Sequence, residues 1–306
     1  MTAFAQLALG DNGTPLTGER TVRWGNGPVA FELRSPDRDI IEVAEHVFGR
    51  WTPFDGAAVH GRWRAQWAGS GIMVEPRRES DDGSELPPVL DAEHAIAEVE
   101  YAAMWQIVES CDHLLCFHAA LLSKNERSVA IVGPSHAGKS TLATGLWQNG
   151  WRFHCDDLTM IVDGKALAGP RRVALRSECR AQVGDALWAR VPQTPGYFKS
   201  MAGCLFQPMH IDETFPESVD LSAIFFLKRS GAASEGAPQR LVRAHAALAL
   251  LPYTNIVRSR PFSAALAPVA ELMAKLPAWD LPRAPLREMI SSVESLAFAT
   301  DGDASD

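Results

Sequence analysis

Gly133-Pro134-Ser135-His136-Ala137-Gly138-Lys139-Ser140 fits the pattern G-x-x-x-x-G-K-[ST], in which a short glycine loop cradles a polyphosphate. The glycines let the backbone turn sharply and approach the ligand, so that successive N–H groups face anionic oxygens. Lys139 supplies a point charge for the outer phosphates and Ser140 a hydroxyl for a magnesium ion. The helix expected to begin here lends the positive end of its dipole. Nucleotide-binding residues are therefore expected at Gly133, Pro134, Ser135, His136, Ala137, Gly138, Lys139, Ser140 and Thr141, with ATP and Mg2+ as the cofactors.

A second group of chemistry-bearing residues follows. Asp156 and Asp157 lie 17 and 18 residues after Lys139. Adjacent residues on a strand point to opposite faces, so one carboxylate faces a metal and the other an acceptor only where the backbone bends or the strand ends. A solvated turn would carry the same pair. Further on, Arg171, Arg172 and Arg176 are the nearest cations able to neutralise a transferring phosphate; Arg176, at an expected strand end, is the preferred one.

The elements that must position these groups are legible around them. Val129-Ala130-Ile131-Val132 is a short apolar, β-branched run suited to a buried strand. Leu142, Ala143, Leu146 and Trp147 then recur at helical spacing until Asn149-Gly150 ends the helix. Strand, glycine loop and helix stand in the order the chemistry requires. Residues 151–162 read as a strand interrupted by the two aspartates, preceded by the mixed run Arg152-Phe153-His154-Cys155 rather than by consecutive apolar residues.

Taken together, Phe117-His118-Ala119-Ala120, the loop GPSHAGKST, Gly150-Trp151-Arg152-Phe153 and Asp156-Asp157 resemble the HPr serine kinase/phosphorylase group, especially its shorter HPr-kinase-related members. The resemblance covers residues 114–175 well and the remainder loosely. It implies an α/β fold with a P-loop kinase domain of the HPr kinase/phosphoenolpyruvate carboxykinase type. It also implies catalytic roles for Lys139, Asp156 and His118, with Asp156 as the base that takes the serine hydroxyl proton, and metal contacts from Ser140 and Asp157. Two positions depart from the pattern. His136 stands where relatives carry glycine, so either the loop takes a histidine at an unusual backbone angle or the ring serves phosphate or acceptor. The glutamate-arginine-glycine signature of the bifunctional enzymes is absent from residues 170–178, so neither phosphorylase activity nor HPr as substrate is carried over.

Composition bounds the rest. The chain has 306 residues, 46% of them hydrophobic, enough for one large or two ordinary domains with a real core. A formal net charge of -8 argues against general nucleic-acid binding and against docking on anionic membranes. Residues 1–20 lack a basic leader with an apolar core, and no apolar stretch reaches the roughly 18 residues of a membrane helix, so a cytoplasmic location is expected. The five cysteines are odd in number and form no C-x-x-C pair, which suggests neither a disulfide framework nor a zinc site.

In chain order, short strands are expected at 21–24, 29–33 and 59–67 with a helix at 37–48, giving a smaller N-terminal α+β region over residues 1–90. Residues 75–88 read as an exposed loop. The kinase-like domain is expected over 91–299. Its elements are a helix at 92–108, a strand at 114–122, extended structure at 166–174, a helix at 177–188 and a loop at 191–209. A strand at 221–227, a loop at 231–238, helices at 239–251 and 262–275, a strand at 279–281 and a helix at 285–297 follow. Residues 300–306 form an expected disordered tail.

The function these readings imply is an ATP-dependent kinase that transfers the γ-phosphoryl group to a hydroxyl, in first place a serine of a peptide or small protein. Two alternatives stay open: a kinase of a serine-like metabolite, and an ATP-binding switch without transfer. The N-terminal strands either pair with an extended peptide acceptor or merely brace the core. A homo-oligomer is compatible with the sequence.

Overall fold

The computed structural model describes residues 18–49, 51–76, 88–111, 113–169, 171–191, 203–206, 218–228 and 236–299. The chain divides into two compact units, Met1–Ser110 and Cys111–Asp306.

The first unit is built on β1 (Arg20–Ser35), α1 (Arg38–Phe48), β2 (Pro53–Ala68), β3 (Gly71–Glu75) and α2 (Ala92–Ser110). Its sheet has the order β1-β2-β3, with β1 and β2 parallel and β2 and β3 antiparallel. A parallel pair needs a crossover, and α1 supplies it. Ile40, Ile41, Ala44, Val47 and Phe48 recur at helical spacing and form its buried face. The core is aromatic: Trp24 stacks on Phe48 with ring centroids 4.2 Å apart, and Trp63 lies against Trp24 and Phe31. Asp37, just before α1, does not cap that helix; its carboxylate accepts the Trp67 N–H at 2.9 Å and ties the helix start to the far end of β2.

Three local expectations change here. The two strands expected at 21–24 and 29–33 are one strand, which absorbs Gly25 and Gly27 through a register shift between Gly27 and Val29 instead of turning. β2 starts at Pro53 rather than at 59, and β3 is an additional strand, too short to give a periodic signal. The compact-unit boundary falls after Ser110, and α2 packs on α1, β2 and β3, whereas the expected boundary lies at residue 90 with this helix in the kinase-like part.

The second unit is organised by a six-stranded sheet of order β13-β14-β12-β6-β5-β7, formed by β5 (Ala119–Lys124), β6 (Arg127–Val132), β7 (Arg152–Cys155), β12 (Leu221–Leu227), β13 (Gln239–Arg240) and β14 (Ala278–Leu281). β6, β12 and β14 are parallel, while β5 pairs antiparallel with both β6 and β7. Alternation sorts the strand residues into two cores. Val129, Ile131, Ala223, Phe225 and Leu227 meet Leu142, Leu146, Ile290 and Val293 on α3 (Lys139–Gln148) and α9 (Leu286–Phe298). Ala130, Val132, Ile224 and Phe226 meet Ala247, Leu250, Val269 and Met273 on α6 (Arg243–Leu250) and α8 (Phe262–Lys275). A strand buried on both faces reads as a continuous apolar run, which is why 129–132 and 221–227 were recognisable. Each fully buried Ile, Val, Leu or Phe contributes about 1.5–3 kcal/mol.

A smaller sheet of order β4-β8-β9 joins β4 (Leu115–Phe117), β8 (Thr159–Val162) and β9 (Lys165–Ala168), and β10 (Val173–Arg176) pairs antiparallel with β11 (Gly203–Phe206). The strand expected at 114–122 is thus split at His118 between two sheets. Likewise 166–174 is divided, β9 pairing with β8 and β10 with β11. The helix expected over 177–188 is a 3-10 turn, Ser177–Cys179, followed by α4 (Arg180–Val183) and α5 (Asp185–Trp188); Gly184, at φ 94 and ψ 144, breaks it. β11 lies within the expected loop 191–209, of which 192–202 and 207–209, like 231–235 and the tail 300–306, are outside the described residues. The helix expected from 239 gives way to β13, which pairs with β14, and starts only at Arg243. A 3-10 turn, Leu251–Tyr253, and α7 (Ile256–Ser259) complete the unit.

Candidate functional site

The glycine loop leaves the end of β6 and enters α3 directly. A Cβ on Gly133 would stand 2.8 Å from the Leu227 carbonyl oxygen, so only glycine lets the loop press against the end of β12. Gly138 is the residue before α3, has φ 96, and no side chain caps the helix; its first-turn N–H groups have no intrahelical partner. An uncapped helix start beside a glycine loop suits an anion. His136 takes the left-handed conformation, φ 67, with an exposed ring, so the loop does accommodate a histidine at an angle L-residues rarely adopt. The Lys139 ammonium donates to the carbonyls of Gly133 at 3.0 Å and Pro134 at 3.4 Å, which folds it over the loop it belongs to.

The aspartates lie where β7 stops. Asp156 is fully buried: its Oδ2 accepts the Ser140 hydroxyl at 2.6 Å and its Oδ1 accepts the Asp157 N–H at 3.0 Å. Asp157 has φ 64, which ends the strand and turns the second carboxylate away from the first. Its Oδ1 lies 2.6 Å from His118 Nε2, and its Oδ2 3.9 Å from Arg171 Nε. The bend that the pair required is therefore present, and Lys139, Ser140, Asp156, Asp157 and His118 converge on one end of the sheet.

Electrostatics separate the two carboxyls. Burial, reinforced by the neighbouring Asp157 charge, pushes Asp156 up to about 6 despite the Ser140 hydrogen bond and the Lys139 and Arg171 cations. Burial acts on Asp157 in the same sense, but the His118 hydrogen bond and charge, with Arg171 and Lys139, outweigh it and hold that carboxyl below the usual range. Two carboxylates this close share one strongly stabilised anion and one reluctant one.

Arg171 brings a guanidinium to the aspartates. Its backbone carbonyl accepts the Asp156 N–H at 3.3 Å, which draws Arg171 against the pair, and the side chain is only 3% exposed. Arg176 does stand at a strand end, that of β10, opposite Gly203, but the segment that touches Asp157 is five residues earlier. No spacing rule would have chosen between them, because the choice depends on how the chain doubles back after β9.

Ser140 and Asp156 offer a hydroxyl and a carboxylate side by side, a donor set that suits magnesium. Among the described residues no group of three or more His, Cys, Asp and Glu could hold a metal ion by itself. A magnesium ion here would take its other ligands from phosphates and water, as that ion usually does.

No protein-family model matches this chain, and no curated protein does. Among solved structures, the HPr(Ser) kinase/phosphatase from Coxiella burnetii is similar over 59% of this chain and 95% of that chain, with 12% identity and a TM-score of 0.32. No helix among the described residues is long and apolar enough to cross a membrane.

Proposed function

We propose that the chain is an ATP- and magnesium-dependent kinase that transfers a phosphoryl group to a hydroxyl, foremost a serine of a peptide or small protein. The observation that carries the reading is the 2.6 Å contact of Ser140 with Asp156 at the mouth of the glycine loop, with the His118–Asp157 pair beside it. Loop N–H groups, the start of α3 and Lys139 bind and orient the phosphates. Ser140 and Asp156 would hold magnesium, which neutralises phosphate charge when bound.

The same geometry favours exchanging the two roles that the family resemblance assigned to the aspartates. Asp156 shares the metal-side hydroxyl and is enclosed, whereas Asp157 is 25% exposed and paired with the His118 ring. Asp157 is thus the carboxylate that an incoming hydroxyl reaches, and its lowered pKa makes it a weak base that takes the proton only as the hydroxyl attacks. Arg171, rather than Arg176, is the cation placed to orient Asp157. For the acceptor, β1 is an edge of its three-stranded sheet, and an extended peptide pairing there would be read by backbone hydrogen bonds.

Incubation of the pure protein with γ-labelled ATP, magnesium and cell extract tests the reading. A labelled protein or peptide, absent with Lys139→Ala, supports it. A labelled metabolite would move the proposal to a small-molecule kinase, and nucleotide binding with no labelled product would replace it by a switch.

A further inference from the structure

His118 sits at the junction of two sheets, and β4, which leads into it, is three residues long. β8 holds one edge of β4, through Leu115, Cys116 and Phe117. The other edge is held by a segment about 140 residues downstream. The Cys116 N–H donates to Asn255 Oδ1 at 2.9 Å, and the Asn255 N–H donates back to the Cys116 carbonyl at 3.0 Å. Asn255 Nδ2 donates to the carbonyls of Cys111 at 3.2 Å and Leu114 at 3.1 Å. Thr254 bridges Phe117, and the His118 N–H itself donates to the Tyr253 carbonyl at 2.9 Å. The segment runs antiparallel to residues 116–118, and its turn is fixed by the Thr254 hydroxyl on the Leu251 carbonyl at 2.8 Å.

We propose that Asn255 is a positioning residue: it clamps both backbone groups of Cys116 and, through the two residues that follow, sets where the His118 ring meets Asp157. Its catalytic meaning rests on the kinase reading above; its geometry does not. The side chain is 4% exposed and uses its carbonyl as acceptor and its amide as donor at once. Only an amide can do so here. In Asn255→Asp both bonds to Cys116 can persist, but a carboxylate oxygen would replace Nδ2 and face the carbonyls of Cys111 and Leu114, so repulsion pushes the side chain off the segment that leads into β4 without a change of volume. Among the described residues, Asn255 hydrogen-bonds to Cys111, Leu114 and Cys116 and not to Lys139 or the glycine loop, so nucleotide binding is separable from it.

The test compares full-length wild type, Asn255→Asp, His118→Ala and the double variant. The readouts are binding of a fluorescent ATP analogue, magnesium-ATP turnover with water or extract protein as acceptor, and NMR of the His118 ring and amide without nucleotide. Asn255→Asp is expected to bind nucleotide within about twofold of wild type, and to lose about tenfold or more in turnover. That loss disappears in the His118→Ala background. Equal losses in both backgrounds, or unchanged His118 ring signals and amide exchange in Asn255→Asp, overturn the proposal. If wild type shows no magnesium-ATP turnover at all, the kinase reading fails and NMR alone decides the clamp: shifted His118 signals support it and unshifted ones reject it. Should Asn255→Asp not fold, Thr254→Val removes only the bond to Leu251; shifted His118 signals in that variant support the proposal, and unshifted ones overturn it.

Discussion

Ser140 Oγ lies 2.6 Å from Asp156 Oδ2, so the first turn of α3 is joined to the end of β7 by one charge-assisted hydrogen bond. The residue that closes the glycine loop and the carboxylate at the strand end form one unit, and the site's behaviour follows from that link.

If the two act together, their variants are non-additive. Ser140→Ala and Asp156→Asn are each expected to weaken magnesium-dependent nucleotide binding about tenfold or more, and the double variant to lose little beyond the worse single one. Titration calorimetry with and without magnesium checks this; simple additivity argues for two independent sites.

Asp156 has a folded pKa of about 6 against an ordinary 3.8, so the folded chain keeps a proton between these values that the unfolded chain has released. Stability from this group is fully present below 3.8 and lost as pH rises through about 6, at most on the order of 3 kcal/mol. Asp157, held low, works in the opposite sense: its contribution is present above 3.8 and lost in acid. Urea unfolding from pH 4 to 7 should therefore show a downward trend that Asp156→Asn flattens, while magnesium-ATP binding rises through pH 6 as Asp156 ionises. A binding curve flat across that range contradicts the metal role.

At the glycine loop the two glycines should fail differently. In Gly138→Ala the new Cβ meets nothing within 4 Å, so the cost is left-handed backbone strain of about 1–2 kcal/mol. In Gly133→Ala it meets the Leu227 carbonyl at 2.8 Å, and the loop itself must shift. Thermal unfolding with nucleotide titration is expected to rank Gly133→Ala as the worse for binding.

Of the two arginines, Arg171→Ala should be severe and Arg176→Ala mild. Arg171 is buried beside Asp157, and its removal leaves that carboxylate short of a cation. Turnover falling about a hundredfold in Arg171→Ala and less than about threefold in Arg176→Ala is expected. The reverse order would restore Arg176 as the cation of the site.

The peptide reading places the acceptor along β1. Hydrogen exchange of the amides in Arg20–Ser35 should slow when a bound acceptor peptide is added and not when ATP alone is added. Unchanged exchange with a phosphorylated peptide would leave this sheet as a brace.

What the sequence settled by itself is local. Residues 129–148 announce strand, loop and helix because a strand buried on both faces is apolar throughout, a helix repeats near every fourth residue, and a phosphate loop needs glycine where a Cβ would collide. The Asp156-Asp157 pair was visible too, as was the need for a bend between its members. What only the tertiary structure decided is non-local. Ser140 selects Asp156 because Asp157 adopts a left-handed angle at the end of β7; Arg171 displaces Arg176 because its carbonyl pairs with the Asp156 N–H. His118 reaches Asp157 because β4 breaks from β5 and is held by Asn255, far along the chain. Periodicity reports which face a residue occupies within its own element, whereas these contacts depend on where separate elements end and which carbonyl each N–H finds, and those are fixed only when the whole unit packs.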